Sequence, residues 1–396
     1  MSLRIAGMGW VTPLGRGVQP VWERLVAGEE ASAQSIADGP EGKKYPFFPV
    51  PSAELKSLPP HPRLRRASAI SRFAAAAGLD ALEEARSTTL AATREHAKAF
   101  DFANSQNRRA QGIGMERIAL VFAVSNGGVV YTKRFYEDIA ESGAQSASPL
   151  LFPETVFNAP ASHLAAILGI TGASYTVVGD GAVGILAMKM ADDLMTNEEL
   201  DFCLVVGAEE ADWLLCDAYR KWRLLKTQPP IEPFRHPPRG MILSEGAGAI
   251  LLGRDGPIAA NEIHAGANFS QRKEASKRII RILSDLAGGR SEILIASANG
   301  TFVDLAEKNA VSREMPGATI YSLKPALGES VGASAIWQVI AAAQSLRTKR
   351  LPPLLHVDPE DAGGVSFASG KEASASTAIV LSCGLNQQVA ALRLSI

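Results

Sequence analysis

Short apolar runs recur along the chain between polar or glycine-rich residues, and their length is typical of buried strands. Between them lie stretches in which apolar residues recur at helical spacing. The alternation of buried strands with helices predicts parallel α/β pairing. In the first part of the chain, strands are predicted at 4–9, 117–125, 174–178, 201–210 and 246–254, and helices at 71–85 and after Gly184.

The same alternation returns from about residue 256. Two consecutive blocks of strands and helices predict an internal duplication, with halves at 1–255 and 256–396. The polar stretch 86–116 lacks a strand pattern and is predicted to be an extended connection or surface insertion. In the second half, strands are predicted within 256–266, 292–300, 318–328, 376–384 and 389–396, and a helix at 332–350.

Composition and charge give no support for several classes of function, namely nucleic-acid binding, membrane binding and metal binding. The 396 residues are 46% hydrophobic and 20% charged, which is typical of a soluble globular protein, and the formal net charge is -1. This balance gives no overall signal for a nucleic-acid or membrane partner. Three widely spaced cysteines outside any CxxC pattern favour reduced thiols in a cytoplasmic protein, and the N-terminus shows no signal peptide or membrane span. Histidines without ligand spacing predict no metal and no cofactor.

Residues 176–185, "TVVGDGAVGI", run from a strand through a turn of small residues into a helix. Such an elbow commonly presents a nucleophile, because the sharp turn exposes one side chain and the helix N-terminus stabilises negative charge. This elbow contains neither cysteine nor serine. The sequence therefore predicts the support for a nucleophile without the nucleophile.

Six collinear segments resemble the β-ketoacyl-(acyl-carrier-protein) synthases of the thiolase superfamily across nearly the whole chain. The resemblance implies an α/β fold, a thiolase-like αβαβα sandwich of two pseudo-duplicated halves, each with a mixed five-stranded sheet. It also implies a dimer that pairs through the strand at 173–178. Glu245 stands in the family's Gly-Glu-Gly-Ala-Gly signature, where it is mainly structural. The segments are 5–29, 70–85, 157–178, 233–252, 322–336 and 350–361.

The residues that carry condensation in this family are replaced. The resemblance places its elbow cysteine at Gly181, its first histidine at Asn299 and its second at Glu329. Glycine cannot be acylated, asparagine can donate a hydrogen bond but carries no titratable proton, and ionised glutamate only accepts. The family's Lys is retained as Lys324, and a Lys324–Glu329 pair is predicted to tie down the vacated site.

The family's glycine-rich gate before the last strand has also changed. The motif Gly-Phe-Gly-Gly-Thr-Asn is matched here by residues 384–389, which read Gly384, Leu385, Asn386, Gln387, Gln388 and Val389. Glycines give such a loop mobility, and side chains restrict it. A mobile gate is therefore not expected.

A basic cluster precedes the helix at 71–85. The family uses basic residues in this region to dock the acidic acyl carrier protein, and electrostatic steering would favour that contact. A solvated surface is an equally good interpretation of the same charges. The cluster consists of Arg63, Arg65, Arg66 and Arg72.

These features predict a non-catalytic ketosynthase-like subunit, similar to the chain-length factors of type II polyketide and aryl-polyene systems. Its expected partners are an active ketosynthase, or itself in a homodimer, and the acyl carrier protein. The family's chain-length factors commonly replace the nucleophile by Gln rather than Gly. A side chain within 152–168 is expected to cap the acyl tunnel. Alternatives are a homodimeric scaffold that binds acyl carrier protein, or an acyltransferase with chemistry relocated to Asp180, Glu329 or Lys324, although Asp180 could equally be a helix cap.

Overall fold

The computed structural model describes residues 3–36, 42–65, 67–92, 114–286 and 293–396. All the strands predicted from the apolar runs are confirmed. The short strands β2, β3, β4, β8 and β13 were not predicted. The strands are β1 (Leu3–Thr12), β2 (Gly15–Arg16), β3 (Gln34–Ile36), β4 (Tyr45–Phe48), β5 (Ile118–Val124), β6 (Ser174–Val178), β7 (Phe202–Glu209), β8 (Leu243–Ser244), β9 (Gly246–Gly253), β10 (Ile258–Asn268), β11 (Ile293–Ile295), β12 (Thr319–Tyr321), β13 (Ser366–Phe367), β14 (Thr377–Cys383) and β15 (Gln388–Ser395).

The helices follow the predicted alternation with the strands. They are α1 (Val18–Val26), α2 (Ala69–Ala92), α3 (Val129–Ser142), α4 (Ala159–Leu168), α5 (Val183–Leu194), α6 (Trp213–Lys221), α7 (Ala275–Leu286), α8 (Phe302–Glu314), α9 (Lys324–Leu327) and α10 (Ser334–Thr348). Helix α10 is buried from Ser334 to Leu346, as the apolar run around Trp337 predicts.

The two halves have the same sheet topology. In the first half the order across the sheet is β6-β5-β7-β9-β1, and in the second it is β12-β11-β14-β15-β10. Numbered within each half, both read third, second, fourth, fifth, first. This identity supports the duplication inferred from the sequence, and the predicted boundary at residue 255 falls between β9 and β10.

Each half has the five-stranded sheet that the resemblance implies, and the two sheets are joined at one edge. Strands β1 and β10 pair antiparallel at Leu3↔Ala260, Arg4↔Ala259 and Ile5↔Ile258, so the strands form one continuous path. Helices α5 and α10 pack against each other between the two halves of the sheet. Helices α2 and α4 cover the outer face of the first half, and α7 and α8 cover that of the second, which completes the αβαβα layering.

The prediction for residues 86–116 was wrong at its beginning. Helix α2 continues to Ala92, so residues 86–92 are helical rather than an extended connection. Local side-chain contacts favour the helix: Arg86 pairs with Glu83 at 2.9 Å, and the Thr88 hydroxyl donates to the Glu84 carbonyl at 3.0 Å. Residues 93–113 lie outside the described part of the chain. Of the helices described, none combines the length and apolar character that crossing a membrane requires.

Candidate active site

The elbow between β6 and α5 has the geometry predicted from the sequence. Gly181 lies in the turn between the two elements, and a Cβ built on it would lie 3.4 Å from Gly384 Cα and 3.8 Å from the Cys383 carbonyl oxygen. These are ordinary van der Waals distances. The Ser382 hydroxyl donates to the Gly181 carbonyl at 2.7 Å and holds the turn in place. The elbow therefore has room for the beginning of a side chain that the sequence does not supply.

Asp180, the residue before Gly181, connects the elbow to the gate loop. Its carboxylate accepts a hydrogen bond from the Asn386 amide at 2.8 Å and a longer one from the Ala182 amide at 3.4 Å. Burial raises the pKa of Asp180 to about 6, although these amide donors oppose the shift. Ala182 immediately precedes α5, so its bond to Asp180 is a cap-like contact at the start of the helix. This contact is the longer of the two, so Asp180 is only a weak helix cap. The shorter contact makes Asp180 mainly a link to the gate.

The gate loop at 384–388 is held by several hydrogen bonds. The Gly384 amide donates to the Gln388 carbonyl and the Phe269 amide donates to the Gln387 carbonyl, both at 2.8 Å. A Cβ on Gly384 would lie 2.0 Å from the Asp180 carboxylate, so a larger residue there would displace the Asp180 side chain from its present position. Gln387 has φ +83°, in the left-handed region that favours glycine. These contacts agree with a less mobile gate, which stays a prediction.

The Asn299 and Glu329 positions meet at Lys324 in a buried cluster. Lys324 Nζ lies 2.6 Å from Glu329 Oε2, and both side chains are almost completely buried. The Asn299 side-chain amide donates to the same oxygen at 2.6 Å, and the Thr301 hydroxyl donates to Asn299 Oδ1 at 2.6 Å. The predicted Lys324–Glu329 pair is confirmed. Lys324 and Asn299 both bind Glu329 Oε2, whereas the buried Glu329 Oε1 has no hydrogen-bond partner among the described residues. The pairing of Lys324 with Glu329 favours a structural role for the cluster.

Two buried acids behind this cluster were not singled out from the sequence. Asp304 accepts hydrogen bonds from the Phe234, Asn299 and Gly300 amides at 2.7 to 2.9 Å and so fixes the Asn299 loop. Glu307 accepts from both the amide and the hydroxyl of Ser297. Burial raises the pKa of Asp304 to about 6 and that of Glu307 to about 7, while Lys324 lowers both. The sequence carried one signal for them: Asp304 and Glu307 lie in the first two turns of α8, directly after the Asn299 loop.

The buried Glu209 and Glu210 and the half-buried Glu245 support the first half of the site. Glu245 accepts from the Val50 amide at 3.1 Å, Glu209 accepts from the Ser125 amide at 3.1 Å, and Glu210 accepts from the Val130 amide at 3.0 Å. Burial raises the pKa of Glu209 to about 8 and those of Glu210 and Glu245 to about 7. Each carboxyl group holds a loop by its backbone amides, which agrees with the structural interpretation of Glu245.

The elbow, the gate loop and the buried cluster around Lys324 lie close to one another. The Glu329 charge contributes to the raised pKa of Asp180, and both Asp180 and Lys324 influence the thiol of Cys383. A cavity of about 660 Å³ opens between the elbow, the gate loop and α6. Asn299, Lys324 and Glu329 do not line it. Its walls include Asp180, Val178, Tyr219, Trp222, Arg272 and Asn386.

The basic cluster lies at a separate cavity. Arg63 and Arg65 are exposed on a short 3₁₀ helix, Pro62–Arg65, and Arg72 is half-buried in the first turn of α2. Arg65 and Arg72 line a cavity of about 370 Å³ together with leucine and proline side chains. Arg66 lies outside the described residues. Carrier docking at this cluster stays a prediction.

Strand β6 forms the outer edge of the first half. In the described ranges it pairs only with β5, and its other side carries no strand. Tyr175 and Val178 on this strand are 42% and 48% exposed, and the segment before α4 adds further exposed apolar side chains. His163 of α4 is buried, and its Nε2 lies 2.7 Å from Glu154 of that segment, which agrees with the packing role preferred from the sequence. The exposed side chains of the segment are Leu150, Phe152, Val156 and Phe157.

Comparison with known proteins extends the resemblance. The family model described as "Beta-ketoacyl synthase, N-terminal domain" matches residues 2–256, and the model for the C-terminal domain matches residues 258–358. The 3-oxoacyl-[acyl-carrier-protein] synthase 2 of Vibrio cholerae is 22% identical over 395 residues, covering 92% of this chain and 90% of that relative.

Two solved structures show the same fold. The ishigamide ketosynthase/chain length factor aligns with a TM-score of 0.82 at 20% identity, over 100% of this chain and 98% of that one. A ketosynthase in complex with its chain length factor from Xenorhabdus doucetiae aligns with a TM-score of 0.79 at 18% identity, again over 100% and 98%. With its fold matched and both family models covering most of its length, this chain belongs to the β-ketoacyl synthase family.

Proposed function

We propose that this chain is a ketosynthase-like subunit that does not catalyse condensation itself and pairs with an active ketosynthase, in the manner of a chain length factor. The observation that carries the proposal is Gly181, which leaves the elbow without a nucleophile. Decarboxylative condensation needs a thiolate to hold the acyl chain, and it needs donors to stabilise the enolate and the oxyanion.

A neighbouring thiol does not replace the nucleophile. Cys383 lies beside the elbow, but it is only 2% exposed, and burial raises the pKa of its thiol well above the usual value. A buried, protonated thiol is a poor nucleophile. Cys203 and Cys216 are also buried, and burial raises the pKa of each thiol to about 12.

The donors needed for an enolate are also missing. The Asn299 amide is hydrogen-bonded to Glu329, and Glu329 offers negative charge where the family uses a histidine. Lys324 neutralises this carboxylate at 2.6 Å rather than facing the elbow cavity. The arrangement stabilises the fold and gives an incoming thioester no cationic or imidazole donor.

The edge of β6 supports the pairing. A partner strand added there would satisfy the outer backbone groups of β6 and cover Tyr175 and Val178. The exposed Phe152, Val156 and Phe157 precede α4, within the segment expected to cap the acyl tunnel. In the proposed heterodimer the partner supplies the cysteine and both histidines, and this chain supplies one wall of the tunnel.

Acyl carrier protein would approach the exposed arginines. Arg63 and Arg65 present positive charge close to Arg72 and the start of α2, and an acidic carrier would be steered toward such a surface. We therefore include the carrier among the proposed partners.

Two measurements test the function. The chain alone is incubated with acyl-loaded carrier protein and examined by intact mass, with an active ketosynthase as the positive control; we expect no acyl adduct and no elongation. The chain is also co-expressed with an active ketosynthase from the same genome, and only one of the two carries a tag. Equal recovery of both supports the proposal, whereas an acyl adduct or elongation by the chain alone refutes it.

A second candidate function is acyl transfer with Asp180 as a base. It is favoured by one observation: Asp180 lines the elbow cavity, and its pKa is raised to about 6, near the value that suits a general base. An Asp180→Asn variant decides between the candidates. Turnover by the isolated chain that disappears in this variant would establish the second function.

A further inference from the structure

A buried contact between a histidine and a glutamate joins α4 to the segment before it. Glu154 Oε1 lies 2.7 Å from His163 Nε2, and the two side chains are only 12% and 10% exposed. Glu154 belongs to segment 149–157, in which Phe152–Thr155 form a short 3₁₀ helix. His163 lies on α4, which begins at Ala159. The contact therefore fastens the segment to a regular element of the fold.

The rest of the segment has little apolar anchorage. Leu150 is 65% exposed and Phe152 is 58% exposed, and none of the residues in the 3₁₀ helix is buried. Phe152 contacts Phe135 of α3, with 5.8 Å between the ring centroids, but most of its surface faces solvent. Burial of apolar surface is the dominant favourable contribution to folding, so a segment with so little of it depends on its polar contacts for its position.

Within the described residues, the two side chains of this contact have only each other. His163 Nδ1 and Glu154 Oε2 are buried and have no hydrogen-bond partner there. Removing one side chain would leave the other buried without a hydrogen bond, which is unfavourable. The remaining polar group could reach water only if the segment moved away from α4. The position of the segment is therefore coupled to the contact.

The segment also packs against the wall of the elbow cavity. A Cβ on Gly127 would lie 3.1 Å from Phe157 Cδ1, and a Cβ on Gly128 would lie 2.9 Å from the Glu154 carbonyl oxygen. Both glycines belong to the turn at 125–128, whose first two residues line the elbow cavity. A shift of the segment would therefore reach this turn, on the side of the molecule where β6 lies.

We propose that Glu154 and His163 are a positioning pair. They hold segment 149–157, with its exposed Phe152 and Phe157, as a fixed part of the tunnel wall that this chain supplies. Both residues act through the segment rather than by contact with the acyl chain, because their side chains are buried. The inference rests on the proposed pairing with an active ketosynthase. A fixed wall limits the length of the acyl chain, so loosening the pair should lengthen the products.

Hydrogen–deuterium exchange of the isolated chain tests the positioning. Peptides that cover segment 149–157 report on it, because the Phe152 amide donates to the Ser148 carbonyl at 3.1 Å while the segment keeps its shape. His163→Leu removes the hydrogen-bonding ring and should speed this exchange about tenfold or more. Glu154→Gln keeps an acceptor for His163 and should leave exchange within about twofold of the wild-type rate.

The matched control is His356→Leu. His356 also pairs with a glutamate, Glu30, but this pair lies at the surface, with side chains 29% and 45% exposed. The control removes the same kind of contact from a site where it contributes little, and it should change exchange of segment 149–157 less than about twofold. Thermal unfolding of each variant confirms that it is folded.

The second measurement uses the complex of this chain with an active ketosynthase and records the lengths of the acyl products. His163→Leu should raise the share of products longer than the main wild-type product about fivefold or more. Glu154→Gln and His356→Leu should keep the wild-type distribution. A pair with a merely structural role would lower the yield of complex without changing product length.

Two results overturn the inference: unchanged exchange of the segment in His163→Leu, or unchanged product lengths in an active complex of that variant. A wild-type complex that neither forms nor elongates refutes the proposed function and with it the tunnel role. The exchange measurement on the chain alone still decides in that case whether the pair holds the segment.

Discussion

The third strands of the two halves, β6 and β12, occupy the same position in the same strand order but have different surroundings. The outer side of β12 is covered by β13 through the pairs Thr319↔Ser366 and Ile320↔Phe367. In the described residues β6 has no such cover, and Tyr175 and Val178 are exposed. One half covers the edge of its third strand with its own chain, whereas the corresponding edge of the other half stays uncovered in the described residues and is where we propose that the partner binds.

The two halves also hold their buried acids differently. In the second half, Lys324 pairs with Glu329 and lowers the pKa values of Asp304 and Glu307. In the first half, Glu209 and Glu210 rely on backbone amides, and the charge of Glu210 further raises the pKa of Glu209. Burial raises the pKa values of the acids in both halves, but the described acids of the second half also have a buried cation nearby, whereas Glu209 and Glu210 have only backbone amides to oppose the shift.

The largest effect should come from removing that cation. Lys324→Met leaves Glu329 as an uncompensated buried charge, which should lower the free energy of unfolding in urea by about 3 to 5 kcal/mol. The double variant Lys324→Met/Glu329→Gln keeps an acceptor for Asn299 and removes both charges. It should recover about 2 kcal/mol or more of that loss. A single variant that costs less than about 1 kcal/mol would contradict a pairing role for Lys324.

The next largest effect should come from placing a charge on the uncovered edge strand β6. Tyr175→Asp places a charge on the exposed face of β6 and should weaken association with the partner about 100-fold, or about 2.8 kcal/mol, by sedimentation or copurification. Leu305→Asp, an equally exposed apolar position in the second half, is the control and should leave association unchanged. Equal weakening by both variants would place the interface elsewhere.

The sequence predicted much of the fold because the long strands are almost entirely apolar and the chain alternates regularly between strands and helices. Strands such as β3 and β13 are two or three residues long and carry no periodicity, so they escaped prediction. The end of α2 was also missed, because the polar residues 86–89 carry no apolar periodicity and the Arg86–Glu83 pair, which favours the helix, joins two charged side chains.

The candidate site was predictable where it depended on residue type and less so where it depended on contacts. A missing thiol at Gly181 is visible in the sequence, and opposite charges at Lys324 and Glu329 suggest a pair. The link from Asp180 to the Asn386 amide joins residues 206 positions apart and requires the fold. The burial that raises the pKa of Glu209 likewise depends on packing from several elements.

Stability should depend on pH through the glutamates of the first half. The pKa of Glu209 is raised to about 8 in the folded chain, so the folded state holds a proton that the unfolded state releases near its ordinary pKa. This stability is fully present below about pH 4.5 and is lost as the pH rises through about 8. Between pH 6 and 8 the contribution of Glu209 to the free energy of unfolding should fall by about 2 kcal/mol, so Glu209→Gln should make the overall pH slope shallower. An unchanged slope in the variant would assign the pH dependence to other groups.

The smallest expected effect is on stability and comes from alanine substitutions at two glycines of the elbow. Gly181 faces the gate loop, and Gly184 faces α10 of the second half. A Cβ on Gly184 would lie 2.9 Å from Ala335 Cβ and 3.1 Å from the Ile336 amide nitrogen, so Gly184→Ala should force α5 and α10 apart and cost about 1.5 kcal/mol. Gly181→Ala meets nothing closer than 3.4 Å and should change the free energy of unfolding by less than about 0.5 kcal/mol. Urea unfolding of both variants measures the difference. If Gly181→Ala were the more costly, the elbow would have no spare room, and the vacancy at the nucleophile position would reflect a steric limit rather than a lost function.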